Sequence, residues 1–418
     1  MDSSVFYLIV NAFLYIFLMC FACKKVGFFS GSALIISFYV FCAISSILFY
    51  THPYTKGTEY YNKLHFEAFI YFAALTSCLI IPILKFDCGQ KNKLQLVKEQ
   101  YIIWFIKIVL PLQLLLFIYY MPTFSFMLNS DMGEMRDDIT SGDVHISDGV
   151  PPFVAKLMFY YNIIRNVVVI IAIYSFFAVK NHRFMVKIFT ISSLFYPIFL
   201  SSLYLMRSQI FVQILYIIFF LLIFRSGFNQ VVKRYINIAG VFLVMFASVV
   251  AISISNSRFG DLASWMYYKY LGESFSNFAG HLWSDLKGTT HGYAYFRWFL
   301  QGDDWHNLQE KWQFIENKTN IDGHIFYGAI GQLIIEFGWV LTAAIYVCLS
   351  VMFVKLLKNS EIISLPNLLI LGLIAQYMIY GAYIFPFQGI SILQVFAYIF
   401  FYWLGCKIQS DKVVYMKR

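Results

Sequence analysis

The chain has 418 residues, of which 60% are hydrophobic, 20% aromatic and only 13% charged; its mean hydropathy is +0.68 and its formal net charge is +9. Soluble domains are nearer about 45–50% apolar and about 25% charged, and a fold of this size leaves much of its surface in water. The composition therefore excludes a soluble fold, a disordered chain and a secreted disulfide scaffold. It predicts an all-α polytopic membrane protein.

Apolar runs follow one another along the whole chain, and each is long enough, or nearly so, to cross ~30 Å of hydrocarbon as a helix. We predict about eleven transmembrane helices, within limits of about ten and twelve, because the two runs beside Arg207 fit either a hairpin or one broken helix. The predicted spans are 4–22, 29–50, 65–84, 101–121, 154–178, 188–206, 209–224, 236–256, 325–354, 363–383 and 388–406. The first run lacks a basic leader and a small-residue cleavage site, so we expect a retained span rather than a signal peptide.

The charges of the connections predict the orientation. Alternate connections and the C-terminal tail carry 18 Lys and Arg residues but only four acidic residues, whereas the opposite connections are acidic overall. Because basic loops stay in the cytoplasm, we expect the N-terminus outside and the C-terminus inside. The positive net charge then reflects topology, and no nucleic-acid partner is expected. None of the seven cysteines lies in an outward connection, which argues against a disulfide framework.

Two outward connections are long enough to carry function. The longer one holds five of the eight tryptophans, which is too aromatic for a disordered segment and suits either sugar stacking or the membrane interface. The predicted layout is 1–256 with eight helices and an outward loop at about 121–152, 257–324 as a large helical and aromatic outward loop between helices 8 and 9, 325–406 with the last three helices, and 407–418 as a basic cytoplasmic tail. The cytoplasmic connections contain no GxxxxGK[ST] or GxGxxG motif, which argues against an ATP-driven pump or a sugar-nucleotide transferase.

Three arginines lie within predicted spans or at their outer ends, where a positive charge is unusual and suggests a binding partner. Arg165 is near the middle of a span, where charge is costly, and a pair with Glu336 of the ninth span would staple two helices. Arg207 and Arg258 lie at the outer ends of spans, where a guanidinium binds either a lipid headgroup or the phosphates of a substrate. The histidines lack a metal-ligand spacing such as HxxxH, so no metal site is expected.

Three segments carry a resemblance to a known family: SSLYLMRSQ around Arg207, SRFG around Arg258, and GHIFYGAIGQLIIEFGWV after the long outward loop. Together with the layout of spans, they resemble Wzy-type oligosaccharide repeat-unit (O-antigen) polymerases, whose layout the O-antigen ligases share. In ligases the third segment tends to start with His-Asn, whereas this chain has His324 and Ile325. The difference favours a polymerase.

The resemblance implies polymerisation of undecaprenyl-diphosphate-linked oligosaccharide repeat units on the outer face of the bacterial cytoplasmic (inner) membrane. The hydroxyl of one lipid-linked unit attacks the anomeric carbon of another, and polyprenyl diphosphate leaves, so no cofactor and no metal are needed. Cations must then hold the diphosphate and a base must take the hydroxyl proton. The implied assignments are diphosphate binding by Arg207, Arg258 and Arg165; proton transfer by His324, Asp261 or Glu273; and sugar stacking by Trp265, Tyr268 and Trp283.

The implied partners are the lipid-linked oligosaccharide, the bilayer and, by family analogy, a chain-length co-polymerase. Three alternative functions remain open at this point: an O-antigen ligase, a flippase for the same lipid-linked oligosaccharide, and a membrane acyltransferase. Flippases usually show internal repeats and short loops on both sides. This chain has no internal repeat, and its longer outward loop spans 257–324, which argues against a flippase.

Overall fold

The structure, a computed structural model, describes residues 3–58, 60–89, 93–130, 135, 146–204, 207–231, 233–234, 238, 240, 245, 249, 256, 259–305, 307–357 and 361–416. This part of the chain is mostly helical. Eight of the helices found there are long and apolar enough to cross a membrane: Ser3–Val26, Gly31–Thr51, Phe66–Asp87, Glu99–Met127, Pro152–Ala178, Arg183–Leu203, Gly328–Leu356 and Gly389–Ile408. A multi-pass helical membrane protein is therefore confirmed.

Three predicted spans differ from this set. The spans predicted at 209–224 and 363–383 form the shorter apolar helices Ser208–Ile223 and Leu365–Gly381. The span predicted at 236–256 lies almost wholly outside the described residues. The count of eleven spans, the domain layout and the orientation of the termini stay predictions.

The regular elements, in chain order, are as follows: α1 (Ser3–Val26), α2 (Gly31–Thr51), α3 (Phe66–Asp87), β1 (Lys93–Val97), α4 (Glu99–Asn129), α5 (Pro152–Ala178), α6 (Arg183–Leu203), α7 (Arg207–Ile223), α8 (Ala263–Asn277), α9 (Arg297–Gln301), α10 (Leu308–Thr319), α11 (Gly328–Leu356), β2 (Ile362–Ile363), α12 (Leu365–Gly381), α13 (Leu393–Ile408) and β3 (Gln409–Tyr415). The described part of the long connection between 257 and 324 thus contains α8, α9 and α10, and it is folded.

The chain divides into two compact units. The first comprises Met1–Gly89, Ser264–Ser360 and Leu373–Val395; the second comprises Gln90–Ala263, Glu361–Gly372 and Phe396–Arg418. In the first unit, α1, α2 and α3 pack on one another and α3 packs on α11. In the second unit, α6 packs against α4, α5 and α7.

The second unit also contains the small sheet, which the sequence did not predict. The strand order is β2-β1-β3, with β1 parallel to β2 and antiparallel to β3. Its strands come from the basic connection at 93–97, from 362–363, and from the tail after α13. The sequence predicted connections and a tail here. The backbone N–H and C=O groups of these residues instead form hydrogen bonds within the sheet, whereas in a free tail they would bond to water.

A close helix crossing sets the position of α8 within the first unit. A Cβ atom on Gly272 would lie 2.3 Å from the backbone nitrogen of Ser46, so α8 crosses α2 in direct backbone contact. Only glycine permits this approach. The helix continues from there into one π-helical turn at Phe278–Leu282, and every residue from 271 to 280 is buried. The contact with α2 therefore holds α8 inside the protein, although α8 contains several polar residues.

The carboxylate of Glu336 holds the loop that precedes α9. Glu336 is fully buried in α11, two residues before the kink at Gly338, where φ is +75°. Its carboxylate accepts the backbone N–H of Gly292 at 2.7 Å, and it also accepts the N–H of Tyr295 and the hydroxyl of Thr290. These partners all lie in the first unit. The Glu336 carboxylate therefore holds the loop in place and has hydrogen-bond donors without Arg165, the partner predicted from the sequence.

We expect Glu336→Ala to lower the free energy of unfolding by several kcal/mol, because it leaves the backbone N–H groups of Gly292 and Tyr295 buried without an acceptor, at about 1–3 kcal/mol each. Thermal unfolding of the purified protein in detergent measures the change. Glu316→Ala, at an exposed position of α10, is the matched control and should unfold close to wild type. Equal unfolding temperatures for the two variants would contradict the role given to Glu336.

Candidate functional site

Glu273 of α8 is a buried carboxyl group with an incomplete set of partners. Its side chain is 2% exposed, and its Oε2 atom lies 3.9 Å from Nζ of Lys269, one turn earlier on the same helix. Among the described residues, Oε2 accepts no hydrogen bond. A buried carboxyl oxygen without a donor is costly as a carboxylate, and an unpaired polar atom of this kind is typical of a functional site.

An aromatic pair holds the Lys269 ammonium. Nζ of Lys269 donates to the hydroxyl of Tyr60 at 2.6 Å and lies 4.1 Å from the centre of the Tyr60 ring. The Trp265 ring centre is 5.2 Å away. A cation beside aromatic faces is stabilised in its charged form, so Lys269 is fixed as a positive charge next to Glu273.

Burial raises the pKa of Glu273 to about 8, although the Lys269 ammonium acts in the opposite direction. The carboxyl is therefore largely protonated at neutral pH and loses its proton near pH 8. A group with a pKa close to the working pH can both take and give a proton, which is what general acid–base catalysis requires. Of the three sequence-predicted proton-transfer residues, Glu273 has the chemistry that fits the role.

Tyr327 lies within electrostatic reach of Glu273 and of Asp322, the partner of the second predicted residue, His324. The Tyr327 hydroxyl donates to the backbone oxygen of Asp322 at 3.2 Å. Burial above all, then the charge of Asp322 and more weakly that of Glu273, raises the pKa of Tyr327 well above its ordinary value. Tyr327 is thus within electrostatic reach of the carboxyl groups of Asp322 and Glu273. His324 is half-exposed, and its Nδ1 atom forms an ion pair with the Asp322 carboxylate when the imidazole is protonated.

The remaining predicted proton-transfer residue, Asp261, is exposed in the 3₁₀ turn Gly260–Leu262 of the second unit. The expectation that Asp261 is a base therefore receives no support from its surroundings.

The predicted diphosphate-binding arginines are described to different extents. Arg258 lies outside the described residues, and Arg207 begins α7 but its side chain is outside the described part. Arg165 lies in α5, within electrostatic reach of the hydroxyls of Tyr161 and Tyr204. In the described part of the chain, its Nε atom and the side-chain amide of the buried Asn166 have no hydrogen-bond partner. Such groups inside a helical bundle are costly, and the diphosphate-binding role of Arg165 stays a prediction.

Of the three predicted sugar-stacking residues, Trp265 is buried, whereas Trp283 and Tyr268 are half-buried. Trp265 is 6% exposed, donates from Nε1 to Oγ1 of Thr55 at 2.7 Å, and packs its ring against Tyr54 at 4.7 Å between ring centres. Its faces are taken by protein, which corrects the sugar-stacking assignment. Trp283 packs edge-on against Trp339, with 4.6 Å between ring centres. Tyr268 is half-buried and meets the ring of Tyr267 at 6.0 Å.

Sequence reasoning missed the partners of Glu273. The spacing of four residues between Lys269 and Glu273 indicates an ion pair on one helix face, and this signal was available. Tyr60 is 209 residues from Lys269 along the chain, and no sequence pattern connects them. Comparison of the chain with protein-family models, with curated proteins and with solved structures found no match.

The raised pKa of Glu273 predicts a pH-dependent stability. Since the pKa of Glu273 in the folded protein, about 8, exceeds its ordinary value of 4.5, the folded protein binds the proton more tightly than the unfolded chain. The free energy of unfolding should therefore fall as pH rises between about 5 and 8, by up to ~1.4 kcal/mol per pH unit, and then level off. We expect Glu273→Gln to flatten this fall, because the amide mimics the protonated acid.

Thermal unfolding midpoints at pH 5 and pH 8 test this, with Glu316→Gln as the control at an exposed position. A wild-type protein and a Glu273→Gln variant with the same pH dependence would show that the carboxyl ionises as easily in the fold as in water.

Proposed function

We propose that the protein is a polysaccharide polymerase that joins oligosaccharide repeat units carried on a polyprenyl diphosphate, on the outer face of the bacterial cytoplasmic membrane. The proposal is supported by the multi-pass helical fold, by the folded aromatic segment that follows residue 259, and by the family resemblance of the segments around Arg207, Arg258 and His324. The observation that carries it is the buried Glu273 with its pKa of about 8, beside Lys269.

In the proposed reaction, the hydroxyl oxygen of the acceptor sugar attacks the anomeric carbon of the donor. The bond between that carbon and the diphosphate oxygen breaks, and polyprenyl diphosphate leaves with the electron pair. The hydroxyl proton passes to the deprotonated carboxylate of Glu273, which must return it to solvent before the next cycle. No nucleotide is consumed, because the diphosphate bond of the donor already carries the activation.

The negative charge of the leaving diphosphate needs cations. Arg165, Arg207 and Arg258 are the proposed ones, and a guanidinium suits a diphosphate because its fork of N–H groups matches two phosphate oxygens. The unpartnered Nε atom of Arg165 supports its share of this role. Proton transfer and charge stabilisation are then separate tasks, carried by different residues.

The experiment that tests the function is deletion of the gene followed by complementation. We expect the deletion strain to lose the long-chain ladder of its surface polysaccharide on gels while single repeat units still reach the surface. Wild type should restore the ladder, whereas Glu273→Gln and Arg258→Ala should leave it reduced at least about tenfold, as expected when a catalytic or charge-stabilising group is removed. Glu361→Gln, at an exposed position outside α8 and α10, is the control and should restore it.

Loss of even the single units would overturn the proposal, since flipping and ligation must still work in a strain that lacks only the polymerase. That outcome would identify a flippase or a ligase.

The pKa of Glu273 also predicts the pH profile of the reaction. Because the base must be deprotonated, the rate of polymer formation from lipid-linked units in proteoliposomes should rise from pH 6 to about 8 and then level off. Lys269→Met removes the charge that lowers the pKa of Glu273, so the rise should move to higher pH. Lys287→Met, at an exposed position, is the matched control. Superimposable profiles for wild type and Lys269→Met would rule out Glu273 as the base.

A further inference from the structure

An exposed tryptophan on α10 has polar groups arranged around its ring. Trp312 is 36% exposed, and the centre of its indole lies 5.9 Å from the centre of the His324 imidazole, with 58° between the ring planes. Next to the imidazole is the Asp322 carboxylate, and both side chains reach solvent, with exposed fractions of 41% and 33%. The three side chains form an open surface, which we call the Trp312 platform.

Backbone packing fixes the platform. A Cβ atom on Gly323 would lie 2.6 Å from Cα and 2.9 Å from the backbone oxygen of Trp312, so the segment 322–324 lies directly on the backbone of α10. Any other residue at 323 would push that segment away from the indole. Asn307, which caps α10 by accepting the N–H of Glu310 at 2.8 Å, and Asn320, in the left-handed region at φ +60°, define the two ends of the helix.

The surroundings of Trp312 favour a hydrophilic ligand over lipid. On α10, Gln309 and Glu316 lie three residues before and four residues after Trp312, on the same face, and both are exposed. Together with Asp322 and His324, they place hydrogen-bonding groups on the side of α10 that carries the indole. Inserting this surface into a bilayer would bury the carboxylates of Glu316 and Asp322, which is costly. An aromatic face with planar polar side chains at its edge is the arrangement that holds a sugar, through its C–H face and its hydroxyls.

We propose that the Trp312 platform is a saccharide-binding site that holds a sugar ring of the repeat-unit oligosaccharide, with the ring on the indole and its hydroxyls bonded to Asp322 and His324. The proposal rests on the proposed function, whose substrate class it specifies further. Tyr327, whose hydroxyl bonds to Asp322 and whose neighbours include Glu273, connects the platform to the proposed base. His324 thereby acts in binding, and proton transfer is left to Glu273.

The test is a binding measurement that needs no turnover. The full-length protein in lipid nanodiscs is titrated by calorimetry with the free oligosaccharide released by mild acid from the host's own lipid-linked repeat unit. We expect Trp312→Ala to weaken the Kd at least about tenfold and Trp312→Phe to weaken it less, because a smaller ring keeps part of the stacking face. Trp104→Ala, which removes a 64% exposed tryptophan of α4, is the matched control and should bind as wild type does.

Gly323→Ala provides a second, independent variant, because it leaves Trp312 in place and displaces the segment that carries Asp322 and His324. We expect it too to weaken binding, while its thermal unfolding midpoint reports whether the fold is kept. If Trp312→Ala does not fold, Trp312→Phe and Gly323→Ala decide the question. Wild-type affinity in the folded variants, or no binding to wild-type protein at millimolar oligosaccharide, would overturn the proposal.

Brominated lipids in the nanodisc reveal the other possible occupant. If they quench a fluorescence component that Trp312→Phe removes, and oligosaccharide affinity is unchanged in that variant, Trp312 is a membrane anchor and the proposal fails. The failure of the polymerase function looks different. In that case the complementation ladder would not depend on Glu273, yet binding of the oligosaccharide would still depend on Trp312.

Discussion

The carboxylate of Glu336 accepts two backbone N–H groups and one hydroxyl from the loop at 290–295, and much of the first unit depends on this capture. The carbonyl of Tyr295, in the same loop, accepts the N–H of Gly389 at 2.9 Å. The Tyr295 ring lies 4.1 Å from Nζ of Lys311, which donates to Gln388 at 2.6 Å. One buried charge on α11 is therefore connected, through a single loop, to the segment before α13 and to α10. A buried carboxylate is tolerable there because backbone donors surround it.

Two buried acids of the first unit show how surroundings decide a role. Glu336 has its acceptor capacity used by the loop and serves as a structural anchor. Glu273 is equally buried, yet its Oε2 atom has no donor among the described residues and its nearest charge is Lys269 at 3.9 Å. The carboxyl oxygens of Glu336 have hydrogen-bond donors, whereas the carboxyl of Glu273 is kept largely neutral by burial. The Gly272 contact with α2 places Glu273 in the interior, where no described residue donates a hydrogen bond to its Oε2 atom.

The sequence predicted the elements that depend on local pattern. Long apolar runs define the membrane helices, and their predicted bounds agree with the structure at α1, α2 and α3 within a few residues. Tertiary contacts between residues far apart in the chain leave no local sequence pattern, so they could not be predicted. The crossing of Gly272 over Ser46, the bond from Lys269 to Tyr60, and the pairing of β1 with the tail strand β3 each join positions far apart in the chain.

The same limit explains the sugar-stacking assignments. Trp265 and Trp312 lie in one aromatic segment, and composition cannot tell a core indole from an exposed one. Their surroundings differ. The Trp265 ring is enclosed by Phe49 near the end of α2 and by Tyr54 and Tyr60 after it. The only ring that Trp312 meets among the described residues is that of His324.

Tyr327 brings the two proposed tasks to one place in the first unit. Proton transfer benefits from a site without water, because a carboxyl kept neutral by burial becomes a strong base once it is deprotonated. Sugar binding needs the opposite, since an oligosaccharide must arrive from water and keep most of its hydroxyls solvated. Glu273 on the buried part of α8 and Trp312 on the exposed face of α10 meet these two demands separately. The segment 322–327 joins them, because Asp322 and His324 at its start border the platform while Tyr327 at its end lies within reach of Glu273. The proposed sugar site and the proposed base are therefore joined by one short segment, which keeps an exposed surface and a buried acid within the same unit.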